Sequence, residues 1–213
     1  MRSGFSLTFA STVVLSAVLL AAPGRSMSAP AYVDMFESHR GLYRAGPDHM
    51  IGIDAFIADD GTPTLLYSDY RSGVVRRLFE VSGDDYVVGA GFNTASPAEI
   101  AVTFVREQGE ITRIALRPAD GAETTAPRIP LTEEEVVFEN GDATLAGTLL
   151  IPEGAAPRPA VVLLHGSGPL TRYSFGPYPR FFASLGLAVL IYDKRGTGAS
   201  TGTRVDAATG RAM

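Results

Sequence analysis

The sequence HGSG at residues 165–168 has the composition of a turn that stabilises negative charge on an oxygen atom. An apolar segment, residues 160–164, precedes it directly. Small residues let the backbone turn sharply at the end of a strand, which leaves main-chain N–H groups facing open space. Donors arranged in this way form an oxyanion hole, the site that binds the negatively charged oxygen arising during ester or peptide hydrolysis.

A second apolar segment, residues 187–192, ends in the polar sequence DKRGTG at residues 193–198. A change from buried strand to polar loop is expected where the strands of a parallel sheet end. Between the two segments, residues 178–185 show apolar residues at helical spacing, and Gly186 is expected to end that helix. We therefore expect the two polar loops to flank one crevice.

Two motifs in this part of the sequence resemble those of a known protein family. HGSGP (165–169) and YDKRGTGAS (192–200), in this order and at this separation, resemble the start of the α/β-hydrolase fold. The resemblance covers residues 132–202 and is closest to exported serine hydrolases, described as serine aminopeptidase-like or prolyl-oligopeptidase-like. It implies hydrolysis of an ester or peptide through a serine acyl-enzyme, without a metal or an organic cofactor. It also implies that the backbone N–H of Ser167 forms half of the oxyanion hole, and that the nucleophile, acid and base lie further along the chain.

Ser200 lies in a sequence, GASTG at residues 198–202, that matches the G-x-S-x-G pattern of a nucleophile elbow. Such an elbow requires a strand that ends directly at the serine, whereas the strand-like residues here end at Tyr192. We therefore interpret Ser200 as a loop residue. Asp193 precedes any expected nucleophile, so we expect it to pair with neighbouring basic side chains or backbone donors rather than to act as a triad acid.

The histidines do not complete a catalytic triad. His39, His49 and His165 all precede Ser200, whereas the base of an α/β-hydrolase follows its nucleophile. We expect His39 and His49 to be surface or turn residues. We expect His165 to support the oxyanion loop through a hydrogen bond, because it lacks a matching serine and carboxylate; direct acid–base catalysis is the alternative.

Residues 1–29 have the features of a secretory signal peptide. Arg2 supplies a positive charge, a mostly apolar run covers residues 7–22, and small residues follow. We expect cleavage after Ser28 or Ala31, export to the periplasm or the extracellular space, and no stable membrane span after removal of the signal. An uncleaved anchor is the alternative, because the apolar run is only slightly shorter than the roughly 20 residues of a membrane-spanning helix.

The rest of the chain divides into three predicted parts. Residues 30–117 alternate apolar and polar positions between turn formers, which predicts a small antiparallel β-sheet, barrel or half-barrel. Residues 118–131 lack an apolar period and are predicted to be a linker. Residues 132–213 are predicted to be a partial α/β-hydrolase domain that opens with a hairpin at residues 140–142. The predicted fold class is α/β: the N-terminal half of an α/β-hydrolase sheet, preceded by a small antiparallel β-rich domain.

The composition of the chain limits the classes of molecule that are expected to bind to it. The 18 basic and 23 acidic residues give a net charge of −5, and no large basic cluster occurs, so nucleic acid is not an expected partner. The absence of cysteine from this sequence excludes a disulfide framework, a thiolate metal site and a cysteine nucleophile within it. The expected partner is a small-molecule ester or peptide substrate, and the oligomeric state is left open.

The sequence after residue 202 departs from the hydrolase pattern, which predicts that the chain is truncated before the nucleophile. We therefore expect an N-terminal fragment of an exported serine hydrolase that is inactive by itself, since an oxyanion donor without a nucleophile and a base contributes little. The alternative is a noncatalytic exported binding protein that uses its β-rich domain and retains a hydrolase-like scaffold.

Overall fold

The computed structural model describes residues 35–57, 61–154 and 156–204. The predicted signal peptide, residues 1–29, lies outside these ranges. Strands make up 57% of the described residues and helices 7%. The first eight strands form a closed antiparallel barrel, in which neighbours in sequence are neighbours in space, and the last four strands form a second sheet.

The elements follow one another along the chain with short connections. The barrel consists of β1 (Gly41–Gly46), β2 (His49–Ile57), β3 (Pro63–Asp69), β4 (Val74–Ser82), β5 (Asp85–Gly91), β6 (Thr94–Glu107), β7 (Glu110–Pro118) and β8 (Thr124–Ile129). The second sheet consists of β9 (Leu131–Asn140), β10 (Ala143–Pro152), β11 (Ala160–Val162) and β12 (Ala188–Tyr192), with a 3₁₀-helix (Arg172–Phe175) and the helix α1 (Tyr178–Ser184) between β11 and β12.

The α/β fold class predicted from the sequence is wrong, because antiparallel strand pairs dominate the structure. The second sheet has the strand order β11-β12-β10-β9, and only its β11–β12 pair is parallel. The α-helix between β11 and β12, α1, is seven residues long. The prediction inferred a whole layered sheet from two local sequences, residues 165–169 and 192–200. Most of the described strands instead pair with the next strand in the sequence as hairpins, with no helix between them.

The predicted linker also requires correction. Residues 118–131 contain β8, which pairs with β7 on one side and with β1 on the other and so closes the barrel. Ala126 in this strand is fully buried in the barrel core. The strand is short, with two threonines and one proline among its six residues, so its period of two was not visible against the polar residues around it. The barrel therefore extends to Ile129.

The barrel interior is filled by side chains that alternate along each strand, as expected for a barrel of eight strands. Aromatic rings pack edge to face in this core: the Phe104 centroid lies 5.4 Å from that of Tyr86 and 6.3 Å from that of Tyr43. Other members of the buried cluster are Ile51, Ile53, Leu65, Tyr67, Leu78, Val88, Val102, Ile111, Ile114, Leu116 and Ala126. The barrel core is therefore a packed apolar interior, separate from the smaller core of the second sheet.

The hairpin of β9 and β10 forms at the residues predicted for it, 140–142. Asn140 pairs with Ala143, so Gly141 and Asp142 form the turn. Gly141 has a φ of 64°, a left-handed conformation that glycine adopts without strain. This hairpin supplies the two strands on which the rest of the second sheet is built.

A buried charge network joins the barrel to the second sheet. The guanidinium group of Arg180, in α1, contacts the carboxylates of Asp54 in β2 and Glu133 in β9, and Arg40 also contacts Glu133 at 3.2 Å. Burial alone would lower the pKa of Arg180, but the carboxylates of Glu133 and Asp54 outweigh it and raise this pKa. Burial alone would raise the pKa of Glu133, but Arg180 and Arg40 lower it. The network therefore holds Arg180 and Glu133 in their charged forms.

The start of α1 also contacts the barrel. The Tyr70 hydroxyl donates a hydrogen bond of 3.1 Å to the Pro177 carbonyl, and the Tyr70 ring packs edge to face against Phe181 with centroids 5.3 Å apart. Together with the charge network, these contacts fix the position of α1 between the barrel and β12. Across the part of the chain that the structure describes, no helix has both the length and the apolar character needed to cross a membrane.

Candidate functional site

The HGSG sequence lies in a loop that leaves the edge strand β11 and leads to the 3₁₀-helix. Ser167 is exposed, and its backbone N–H donates no hydrogen bond to another described residue. A Cβ atom added at Gly166 or Gly168 would meet nothing within 4 Å, and Gly168 has a φ of 97°. The loop is therefore open to solvent, and the Ser167 N–H has no acceptor among the described residues.

His165 is fixed by contacts on both sides of its ring. Its Nε2 lies 2.6 Å from the Tyr192 carbonyl oxygen, and its ring stacks on Phe175 with centroids 4.3 Å apart and 24° between the planes. Because a carbonyl only accepts, Nε2 carries the hydrogen, and Nδ1 of the neutral ring is then the acceptor. That Nδ1 is buried and has no hydrogen-bond partner among the described residues. The geometry suits a residue that supports the loop and offers no contact to a nucleophile.

Asp193, at the end of β12, organises the second loop. Its side chain is buried and accepts hydrogen bonds from the backbone N–H groups of Arg172 (2.8 Å) and Ala199 (2.9 Å), and its Oδ2 lies 3.7 Å from Arg172 Nε. Gly198 has a φ of 54°, and a Cβ atom there would lie 2.5 Å from the Asp193 carboxylate. Asp193 therefore pairs with backbone donors and a buried arginine, and glycine at position 198 leaves the space for it.

The Ser200 hydroxyl is committed to the backbone. It donates to the Asp193 carbonyl at 2.7 Å and accepts from the Ala146 N–H at 3.0 Å, with the side chain buried. No hydrogen bond joins Ser200 to a histidine within the described ranges. The hydroxyl therefore lacks both the exposure and the general base that a nucleophile needs.

Replacing Ser200 by alanine should lower the free energy of unfolding by about 1–3 kcal/mol, because the buried Ala146 N–H loses its acceptor. Urea denaturation measures this loss. The control is Ser184→Ala in α1, whose hydroxyl contacts only the Phe181 carbonyl of the same helix and whose loss should be within about 0.5 kcal/mol. A Ser200→Ala protein as stable as the wild type, with any ester hydrolysis abolished, would contradict the loop assignment.

The two loops meet, as the sequence predicts, whereas the other histidines lie elsewhere. Thr197 Oγ1 donates to the Leu170 carbonyl at 2.8 Å, which ties the loop after β12 to the loop after β11. His39 is a turn residue, one of the two environments expected for it, but its side chain is mostly buried, lies 3.0 Å from Asp84 and packs against the barrel core. His49 lies 3.0 Å from Asp69, also in the barrel. The described site therefore contains His165 as its one histidine.

Two basic residues of the site were not found by sequence reasoning. Arg172 is fully buried, and its Nη1 donates to Glu135 at 2.7 Å and to Thr148 Oγ1 at 3.1 Å. No sequence pattern distinguishes a buried arginine from a surface one, so its partners were visible only in the structure. The Lys194 Nζ donates to the carbonyl oxygens of Gly166 at 2.8 Å and of Gly168 at 3.3 Å, so that it contacts the HGSG loop itself.

The described residues contain no group of three or more histidine, aspartate and glutamate side chains that could hold a metal ion. The described site offers backbone donors, His165, Lys194 and the buried pair of Arg172 with Asp193. Among the backbone donors, the N–H of the exposed Ser167 has no acceptor in the described residues.

Comparison with known proteins gives one informative similarity. The chain is 33% identical over 128 residues to Esterase EstD of Thermotoga maritima, an alignment that covers 50% of this chain and 31% of the esterase. The chain therefore matches about a third of the length of that esterase. No family model matches the sequence, and no solved structure matches it.

Proposed function

We propose that this chain forms the oxyanion-stabilising part of a serine esterase. The observation that carries the proposal is the exposed loop at residues 165–168, in which the Ser167 N–H has no protein acceptor among the described residues. The similarity to an esterase supports the choice of an ester over a peptide substrate. In this proposal, an ester carbonyl oxygen lies at the Ser167 N–H during acyl transfer to water.

The proposed role follows from the charge that develops on the substrate. A nucleophile that attacks an ester carbonyl converts its oxygen into an oxyanion, and a fixed N–H donor stabilises the oxyanion more than the neutral carbonyl. No hydrogen bond joins a serine hydroxyl to His165 among the described residues. We propose that the nucleophile, its base and the second oxyanion donor lie outside the described residues, and that the 213-residue chain alone is inactive.

We further propose that the enzyme is exported, and we propose the group of serine hydrolases to which it belongs. The paired sequences at residues 165–169 and 192–200 favour an exported enzyme of the serine aminopeptidase-like or prolyl-oligopeptidase-like group. Residues 1–29 favour export through a cleaved signal peptide. The match to about a third of a longer esterase favours a chain that is one part of a larger enzyme.

The test compares Ser167→Pro with Ser167→Ala in the protein extended by the residues encoded downstream of position 213. Proline lacks the backbone N–H, so we expect kcat for p-nitrophenyl acetate to fall by about 10²–10³-fold. Alanine keeps the N–H and removes only an exposed hydroxyl, so its kcat should stay close to that of the wild type. Thermal unfolding of both variants checks that the loop change leaves the fold intact.

Two results would contradict the proposed function. One is an extended, folded protein that hydrolyses no ester. The other is an equal loss of kcat in the proline and alanine variants, which would mean that the Ser167 side chain, and not its N–H, carries the effect.

A further inference from the structure

Lys194 contacts the peptide unit that carries the proposed oxyanion donor. Its Nζ donates a hydrogen bond of 2.8 Å to the carbonyl oxygen of Gly166, and this carbonyl belongs to the same peptide group as the N–H of Ser167. The peptide bonds in the cis form are Ser96–Pro97 and Ala156–Pro157, so the bond between residues 166 and 167 is trans. In a planar trans peptide the C=O and N–H groups point in opposite directions. A cation that fixes this carbonyl therefore also fixes the direction of the Ser167 N–H.

The loop has few other restraints at this point. The space beside Gly166 is open, because a Cβ atom added there would meet nothing within 4 Å. Lys194 also donates to the Gly168 carbonyl at 3.3 Å, so it holds the backbone on both sides of Ser167. The backbone of Lys194 is itself held, because the Thr197 N–H donates to its carbonyl at 2.9 Å.

The charge of Lys194 is directed at these carbonyl groups. Within the described ranges no carboxylate lies within ion-pair distance of its Nζ. A positive charge on the carbonyl oxygen draws electron density from the amide, and hydrogen bonds in a chain polarise one another, so the N–H becomes a stronger donor. Lys194 would thus both fix the direction of the Ser167 N–H and make it a stronger donor.

The neighbouring cation provides a contrast. Arg195 faces the other way, with Nη1 at 2.5 Å from Asp142 and Nη2 at 2.7 Å from the Asn140 carbonyl, both in the β9–β10 turn. Two adjacent basic residues thus serve two different backbone segments. Of these two basic residues, Lys194 is the one that contacts the HGSG loop.

We propose that Lys194 is a positioning residue that orients and polarises the peptide group between Gly166 and Ser167, so that the Ser167 N–H faces the substrate oxygen. This inference rests on the proposed function for its catalytic meaning. Its structural content, a lysine that controls one peptide group, is testable without any hydrolysis.

The test is NMR spectroscopy of the isotope-labelled 213-residue chain with three variants: Lys194→Met, Lys194→Arg and Arg195→Met. In Lys194→Met, we expect the ¹³C′ resonance of Gly166 and the ¹⁵N resonance of Ser167 to move upfield, because the carbonyl loses its donor. The backbone order parameter at Ser167 should fall from a rigid value of about 0.85 towards about 0.6 or below. Lys194→Arg should restore part of both signals, and Arg195→Met should leave them unchanged.

Kinetics of the extended protein separate this inference from the proposed function. If the esterase proposal holds, Lys194→Met lowers kcat by less than the roughly 10²–10³-fold expected for loss of the donor and leaves KM unchanged, because the effect arises in the transition state. Unchanged resonances and order parameter in Lys194→Met, or equal changes in Arg195→Met, would overturn the inference. Altered resonances in a protein without esterase activity would overturn the proposed function alone.

Discussion

Replacing Arg180 by methionine should lower the free energy of unfolding by about 3–5 kcal/mol, because it leaves the buried Asp54 carboxylate without its partner. The Arg180 side chain is 4% exposed and that of Asp54 is 6% exposed, so solvent cannot replace the lost charge. Glu133 is 31% exposed and contributes less to the loss. Urea denaturation followed by circular dichroism measures the change.

Two further variants isolate the buried charge at Asp54. Adding Asp54→Asn to Arg180→Met removes the unpaired carboxylate and should recover part of the lost stability, which a double-mutant cycle measures directly. Arg158→Met removes an arginine whose recorded contact is an exposed hydrogen bond to a carbonyl, and should change stability by less than about 0.5 kcal/mol. Equal losses in Arg158→Met and Arg180→Met would show that the network between barrel and sheet is not stabilising.

Replacing Asp193 by alanine should have a similar effect, about 3–5 kcal/mol, because the fully buried Arg172 loses a nearby carboxylate and two backbone N–H groups lose their acceptor. Asp193→Asn keeps an oxygen acceptor of similar size and removes the charge, so its loss should be intermediate. Calorimetric or urea unfolding measures both variants.

The matched control for this change is Asp142→Ala. Asp142 also contacts an arginine, Arg195, but its side chain is 82% exposed, so its removal should leave stability unchanged within error. An Asp193→Ala protein as stable as Asp142→Ala would mean that the loop after β12 does not depend on its buried carboxylate.

Local patterns in the sequence predicted the positions of individual strands more accurately than they predicted the fold class. The alternating segments of residues 30–117 correspond to barrel strands, because a half-buried strand shows its period of two directly. The hairpin turn at Gly141 and the helix α1 were visible for the same reason, since turn residues and helical spacing are local signals. The α/β class failed because it depended on pairings between distant strands, which no local pattern encodes.

In the site, too, local features could be predicted from the sequence, whereas contacts between distant residues could not. The loop positions of Ser167 and Ser200 followed from which residues ended a strand. The contact of Arg180 with Asp54 joins residues 126 positions apart, and the contact of Lys194 with Gly166 joins residues 28 positions apart. Such contacts depend on the packed arrangement of the sheet, so a single sequence carries no signal for them.

The shared guanidinium of Arg180 also affects how this protein tolerates gene rearrangement. A recombinant that kept β9 to β12 and replaced the barrel with an unrelated module would carry Arg180 and Glu133 without Asp54, and the Pro177 carbonyl would lack its donor from Tyr70. Shuffling of the second sheet onto new partners would therefore require either a matching acidic strand or a neutral residue at position 180.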